Sequence, residues 1–201
     1  MKRLLILIFM VFICAINPVI ADSNKNNQPF SKTMISLKGS ANIMENDFHD
    51  YWEPGIGGGF QLEMPFYLGQ VLMGYKRMSF TGDNILQPDF ESAFTYFGVG
   101  MEFSVVQDIY LFAGGGFGNL KMTGDPSVLQ GPLGEEEVFE ETEFAYTAQG
   151  ELRYFLTEKI SFHAGIDHTI VHTRKKIHMT NINAGLGYTF DTPNWLIGVL
   201  Q

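Results

Sequence analysis

The sequence predicts an all-β protein: an eight-stranded antiparallel up-and-down transmembrane barrel over residues 33–190, followed by a short C-terminal amphipathic tail. Three observations predict it. The first is strict alternation. In Asn181–Phe190, Ile182, Ala184, Leu186, Tyr188 and Phe190 fall on one side of an extended chain, and Asn181, Asn183, Gly185, Gly187 and Thr189 on the other. The second is an even strand count with connections that alternate in length, short after strands two, four and six and long after one, three and five, as single-chain membrane barrels have them. The third is dispersal: after the N-terminal segment no run approaches the ~18 apolar residues of a spanning helix, yet the chain carries 18 Phe, 8 Tyr and 22 Gly.

Residues 1–21 read as a secretory signal. Lys2 and Arg3 lead an apolar core from Leu4 to Ala15, and Val19 and Ala21 sit at the small-residue cleavage positions, so the mature chain is expected to start at Asp22. The single cysteine, Cys14, follows Ile13 rather than a small residue, so lipidation is not expected, and the mature chain lacks a thiol for disulfides, thiolate metal sites or a Cys nucleophile. Of 13 basic residues, removal of Lys2 and Arg3 leaves 11 against 22 acidic ones, a formal charge of −11. That balance excludes non-specific nucleic-acid binding, which needs positive charge to displace counterions.

The elements follow in order. Residues 22–32 are a polar lead-in. Strand one, Thr33–Ile43, sets Ile35, Leu37, Gly39, Ala41 and Ile43 against Ser36, Lys38, Ser40 and Asn42. A polar, aromatic loop spans 44–54. Strand two, 55–64, opposes Ile56, Phe60, Leu62 and Met64 to Gly57, Gly59, Gln61 and Glu63, and a turn is expected at Pro65 and Phe66. Strand three, 67–79, sorts its faces poorly, and a loop covers 80–92. Strand four, 93–103, sets Phe97, Val99, Met101 and Phe103 against Tyr96, Gly98, Gly100 and Glu102, with a short turn at 104–108. Strand five, 109–120, is so glycine-rich that its faces cannot be assigned. A long loop, 121–142, holds Glu135, Glu136, Glu137, Glu140 and Glu141.

Strand six, 143–155, opposes Phe144, Tyr146, Ala148, Leu152 and Tyr154 to Thr147, Gln149, Glu151 and Arg153. After a turn at 156–159, strand seven, 160–170, sets Ile160, Phe162, Ala164, Ile166 and Ile170 against Ser161, His163, Gly165, Asp167 and Thr169. A basic loop, 171–176, leads into strand eight. The tail, 191–201, is expected in the periplasm. Asp191 or Thr192 would cap a short helix with Pro193 in its first turn, and Trp195, Leu196, Val199 and Leu200 would share a face that rests at the rim or lipid interface.

Closure follows from backbone satisfaction, because hydrocarbon offers no water to pair an open edge. Eight strands leave a lumen that side chains can fill. On this parity Lys38, Glu63, Lys76, Glu102, Glu151, Arg153, His163 and Asp167 point inward, a mixed-sign set expected to pair and largely plug the lumen.

With the strands placed, most of the mature chain resembles the opacity-protein and OmpA-type small outer-membrane barrels. The similar stretches are Phe97–Phe103, Tyr110–Gly118 and Tyr154–His168, together with Asn183, Gly185, Tyr188 and Phe190, which resemble the closing-strand signal of such barrels. The chain departs from many of them in continuing for 11 residues past Phe190. The resemblance implies a Gram-negative outer-membrane location and engagement of the barrel-assembly machinery through the last strand. Members are variously structural, adhesive or without a known role, so the fold does not settle function.

His163 and Asp167, with Glu151 on the neighbouring strand, could serve acid–base work, but no motif places a nucleophile and a lumen hydrogen-bond network accounts for the same residues. His168, His172 and His178 could bind a transition metal, yet their spacing matches no known ligand pattern. The glutamate cluster lacks the turn glycine of a cation cage, and Gly114–Gly118 lacks the Gly-Lys-Ser/Thr of a phosphate loop. Arg174, Lys175 and Lys176 suit lipopolysaccharide phosphates. The expectation is therefore a non-enzymatic outer-membrane barrel without cofactor or metal, in contact with outer-membrane lipid and lipopolysaccharide and presenting loops to a surface ligand the sequence does not identify. The alternatives are an outer-membrane lipid-modifying hydrolase and a soluble periplasmic lipocalin-like binder of a small apolar ligand, whose apolar faces would point inward.

Overall fold

A computed structural model describes residues 29–43, 52–82, 89–124, 140–173 and 176–200. The expected signal segment, Glu135–Glu137, Arg174 and Lys175 lie outside the described residues. Eight strands form one closed barrel in chain order: β1 (Lys32–Ile43), β2 (Ile56–Phe66), β3 (Gly69–Phe80), β4 (Phe90–Val106), β5 (Ile109–Gly124), β6 (Glu140–Phe155), β7 (Ile160–Val171) and β8 (Ile177–Asp191). Every neighbouring pair is antiparallel, and β1 closes on β8 with Lys32 opposite Asp191 and Ile43 opposite Thr180. A helix, α1 (Asn194–Leu200), follows.

The apolar faces point out and the polar faces in. Leu37, Val99, Phe117, Ile166, Ile182 and Leu186 are exposed, whereas Ser36, Gln61, Glu63, Glu151, Arg153 and His163 are fully enclosed. A soluble lipocalin-like binder needs the reverse, so this arrangement overturns that reading. The outward surface suits hydrocarbon, and closure pairs every strand edge.

The structure also shows why β3 and β5 resist assignment from sequence. Their inward faces carry Leu72, Met78, Phe80, Phe112, Leu120 and Met122, all buried, so hydropathy does not alternate along them. With Phe94, Tyr96, Ala145, Val171 and Met179, most of these inward side chains form an apolar cluster inside the barrel at the end bearing the long connections. Phe80 and Phe90 stack there with ring centroids 4.7 Å apart, and Trp52 meets Phe90 edge-on at 5.3 Å. Inward glycines make room for the large rings. A Cβ at Gly74 would fall within the Tyr96 ring, and one at Gly100 within Phe112.

Several boundaries differ from expectation. β4, β5 and β6 run 17, 16 and 16 residues, because Phe90 pairs with Gly124 and Thr123 with Glu140, extending the ladder into segments read as loops. Glu140 and Glu141 are thus strand residues, and Glu140 pairs with Lys121 at 2.8 Å. Pro65 and Phe66 belong to β2, and the turn falls at Tyr67, which adopts φ 48°. Neither Asp191 nor Thr192 caps α1: Asp191 ends β8, and the Thr192 hydroxyl bonds that of Thr33 at 2.8 Å. The first helical turn instead closes on the Pro193 carbonyl. Trp195 and Val199 are exposed on α1, whereas Leu196 is half-buried.

Candidate functional site

The polar lumen is organised around Arg153 of β6, none of whose side chain is exposed. Its guanidinium forms a fork with Glu63 of β2, Nη2 to Oε1 at 2.7 Å and Nη1 to Oε2 at 2.9 Å. Nη1 also donates to Glu102 of β4 at 3.0 Å, and Nη2 and Nε donate to Glu151 at 3.1 and 3.3 Å. The Phe112 ring of β5 lies beneath it, 3.8 Å from the guanidinium carbon. Only arginine offers a planar set of donors able to hold three carboxylates at once while stacking on an aromatic face.

Two lysines complete the charge pattern. Lys38 of β1 pairs with Glu151 and donates to Gln61 Oε1 at 3.3 Å. Lys76 of β3 pairs with Asp167 of β7 at 2.6 Å, and Asp167 also accepts from Asn181 and Asn183 of β8 at 2.8 and 3.2 Å. Gln61 extends the Arg153 group, accepting from the Tyr96 hydroxyl at 2.7 Å and donating to Glu63 at 2.8 Å. A low-polarity interior makes an unpaired charge costly, and here each of these seven charged side chains has an opposite partner.

The structure thus brings Lys38, Glu63, Glu102, Glu151, Arg153 and His163 into one cluster and Lys76 and Asp167 into a second beside it. His163 and Asp167 do not touch. Instead His163 Nε2 meets Ser161 Oγ at 2.7 Å, and its Nδ1 lies 3.6 Å from Glu151 Oε2. The sequence reading missed Ser161 as a neighbour of His163, and it missed Gln61, Tyr96 and Asn181 as network members. Their inward parity was the available signal.

Two cavities bound the network. One of about 30 Å³, lined by Lys38, Gln61, Lys76, Tyr96, Gln149 and Asn183, is enough for about one or two waters. Gln149 Nε2 and Asn183 Oδ1 are buried there without a protein partner. The other, about 490 Å³, lies at the short-turn end and is lined by Gln70, Glu102, Tyr110, Phe155 and Glu158. Toward the long connections the interior carries the apolar cluster of Phe80, Phe94 and Met122.

The remaining sequence candidates lie elsewhere. Lys176 is exposed just before β8. Asn183 and Gly185 face inward, whereas Tyr188 and Phe190 face outward with their rings 6.3 Å apart. His168 and His178 sit within β7 and β8 on the outer face and come together there; His172 packs 5.2 Å from the Tyr146 ring. Among the described residues no group of three or more His, Cys, Asp and Glu is placed to hold a metal ion.

Comparison with known proteins agrees with this architecture. A family model described as outer membrane protein beta-barrel domain matches residues 13–190. Among solved structures, Neisserial surface protein A is similar at TM-score 0.62 and 12% identity, covering 79% of this chain and 97% of that one. The N-terminal β-barrel domain of Pseudomonas aeruginosa OprF is similar at 0.54 and 13%, covering 81% and 100%. The attachment invasion locus protein Ail of Yersinia pestis, solved with the heparin analogue sucrose octasulfate, is similar at 0.50 and 17%, covering 80% and 99%. No curated protein matches the chain.

Proposed function

Because the chain belongs to the outer membrane protein β-barrel family, we propose that it is a non-enzymatic barrel of the Gram-negative outer membrane whose lumen is closed by its own side chains. Its role is then played on the outside, as an envelope component and a scaffold for surface interactions. The observation that carries this reading is the Arg153 knot. A guanidinium with no exposed surface, bound by three carboxylates from β2, β4 and β6, and the apolar cluster toward the long connections support a closed lumen. Family barrels place short turns in the periplasm and long loops outside. That orientation puts Lys176 at the outer rim, where cations meet lipopolysaccharide phosphates. It leaves the closing strand, with Tyr188 and Phe190, as the segment presented to the barrel-assembly machinery. Refolded protein in planar bilayers tests closure. The expected record is a barrel that inserts without steady ion current, and a sustained open conductance refutes the plug.

A second reading has one specific observation in its favour. Ser161, His163 and Glu151 stand in the order of a nucleophile, base and orienting carboxylate. All three are buried, Glu151 is already held by Lys38 and Arg153, and a Cβ at Gly187 would meet both Ser161 Oγ and His163 Nε2. Neither cavity described above is lined by Ser161 or His163, which favours a structural hydrogen bond. Ser161→Ala and His163→Ala decide between the readings: lipid deacylation present in the parent protein and lost in both folded variants would establish a hydrolase.

A further inference from the structure

The barrel carries a second polar arrangement outside the lumen. On the outer face, at the seam where β7 meets β8, His178 Nδ1 lies 3.4 Å from His168 Nε2, and the two rings are 5.5 Å apart at 44°. The other nitrogen of His168, Nδ1, is 2.9 Å from Thr180 Oγ1, its direct cross-strand partner. Both imidazoles are half-buried on the parity that carries exposed Ile166 and Ile182, so they face the surroundings of the barrel.

The spacing suits two arrangements, a direct hydrogen bond and a shared ion. A hydrogen bond from nitrogen to oxygen centres near ~2.9–3.0 Å, and one to the larger nitrogen atom is longer. Two nitrogens that share a tetrahedral ion at ~2.0–2.1 Å stand about 3.3–3.4 Å apart. The observed 3.4 Å is a hydrogen bond at the long end of the range and also equals the second spacing. The Thr180 contact supplies what a ligand pair needs beyond distance. With Nδ1–H donating to Thr180 Oγ1, the lone pair of His168 is on Nε2, toward His178. A hydrogen bond to the distal ring nitrogen is the usual device that fixes the tautomer of a ligating histidine.

We propose that His168 and His178 form a divalent transition-metal site on the outer face of the barrel, with Thr180 orienting His168. Paired imidazoles select zinc, nickel or cupric ions over magnesium and calcium, which require oxygen ligands. Two positions come from the protein and the others from water. His172 stays out, because its ring is engaged with Tyr146 and its backbone N–H with Phe144. A bound ion clamps β7 to β8 beside the last connection.

The test is calorimetric titration of the untagged, refolded full chain in detergent with zinc alone. The expected result is a zinc site lost in the His168→Ala, His178→Ala double variant, retained in His172→Ala, and weakened about tenfold in Thr180→Val. Zinc should also raise the unfolding temperature of the parent protein but not of the double variant, by mass action on the folded state. All three histidine side chains lie on the outside, and unboiled gel mobility verifies that each variant folds. No zinc binding by the parent, or binding unchanged in the double variant, overturns the proposal. Loss of binding in His172→Ala overturns the two-ligand assignment.

Discussion

Arg153→Met is the most informative single change in the lumen. It removes the one cation that faces Glu63, Glu102 and Glu151 together. Glu151 keeps Lys38, and Glu102 has 21% of its side chain exposed, beside the larger cavity, where water can reach it. Glu63 is the residue left stranded: its side chain is 2% exposed, Arg153 is its ion-pair partner, and Gln61 offers a neutral hydrogen bond. Removing one partner of a buried ion pair costs about 3–5 kcal/mol, because the other charge stays desolvated. With urea slopes of roughly 1–3 kcal/mol per molar, the unfolding midpoint in lipid vesicles should fall by at least about 1 M. Glu63→Gln added to Arg153→Met should recover part of that loss, since the stranded charge is then gone. The double-mutant cycle should show strong coupling. A loss below about 1 kcal/mol, the worth of a solvent-exposed pair, with no recovery in the double variant, would refute the enclosed network.

Three further outcomes are expected. Leu186→Arg, which puts a charge on the outward face opposite Leu37 and Phe162, should cost about 2–4 kcal/mol in vesicle unfolding if that face meets mid-bilayer hydrocarbon; a neutral result argues against the membrane orientation. Gly100→Val should cost about 1–3 kcal/mol by the same assay, as added methyl groups drive into the Phe112 ring beneath Arg153. For the tail, Trp52→Phe leaves Trp195 as the only indole of the chain's 2. Its fluorescence should be quenched by brominated lipid if exposed Trp195 and Val199 lie at the interface, and quenching only by aqueous iodide would remove the tail from the membrane.

The strand count, the closure and the faces of six strands were legible because one physical rule governs them. A wall between lipid and a polar interior writes period two into each strand. The rule lapses where the interior itself is apolar. Met78 and Phe80 follow Lys76 on the same inward face of β3, and Leu120 and Met122 follow Phe112 and Gly118 in β5. No alternation survives there, and a reader of one strand cannot see that five others contribute to the same cluster. The inward orientation of Arg153 was equally readable from parity, but its partners were not. Which carboxylates it reaches depends on the stagger between strands far apart in sequence. For the same reason the spacing of His168 and His178 carried no metal signal, because their meeting is created by the Ile170–His178 register across the β7–β8 pair.

That dependence runs in both directions. The central network draws Lys38 from β1, Gln61 and Glu63 from β2, Lys76 from β3, Tyr96 and Glu102 from β4, Phe112 from β5, Glu151 and Arg153 from β6, Asp167 from β7 and Asn181 and Asn183 from β8. Every strand therefore supplies at least one group whose partner lies on another. A slip of one residue at any seam would turn those groups out toward hydrocarbon and turn apolar side chains into the charged centre. Lipid-facing burial alone tolerates a slip of two, since every second residue is apolar, whereas the Arg153 fork with Glu63 does not. Stability against water comes from the outward apolar surface, but the choice of one register, and with it the position of the outer-face histidines, comes from the buried charges.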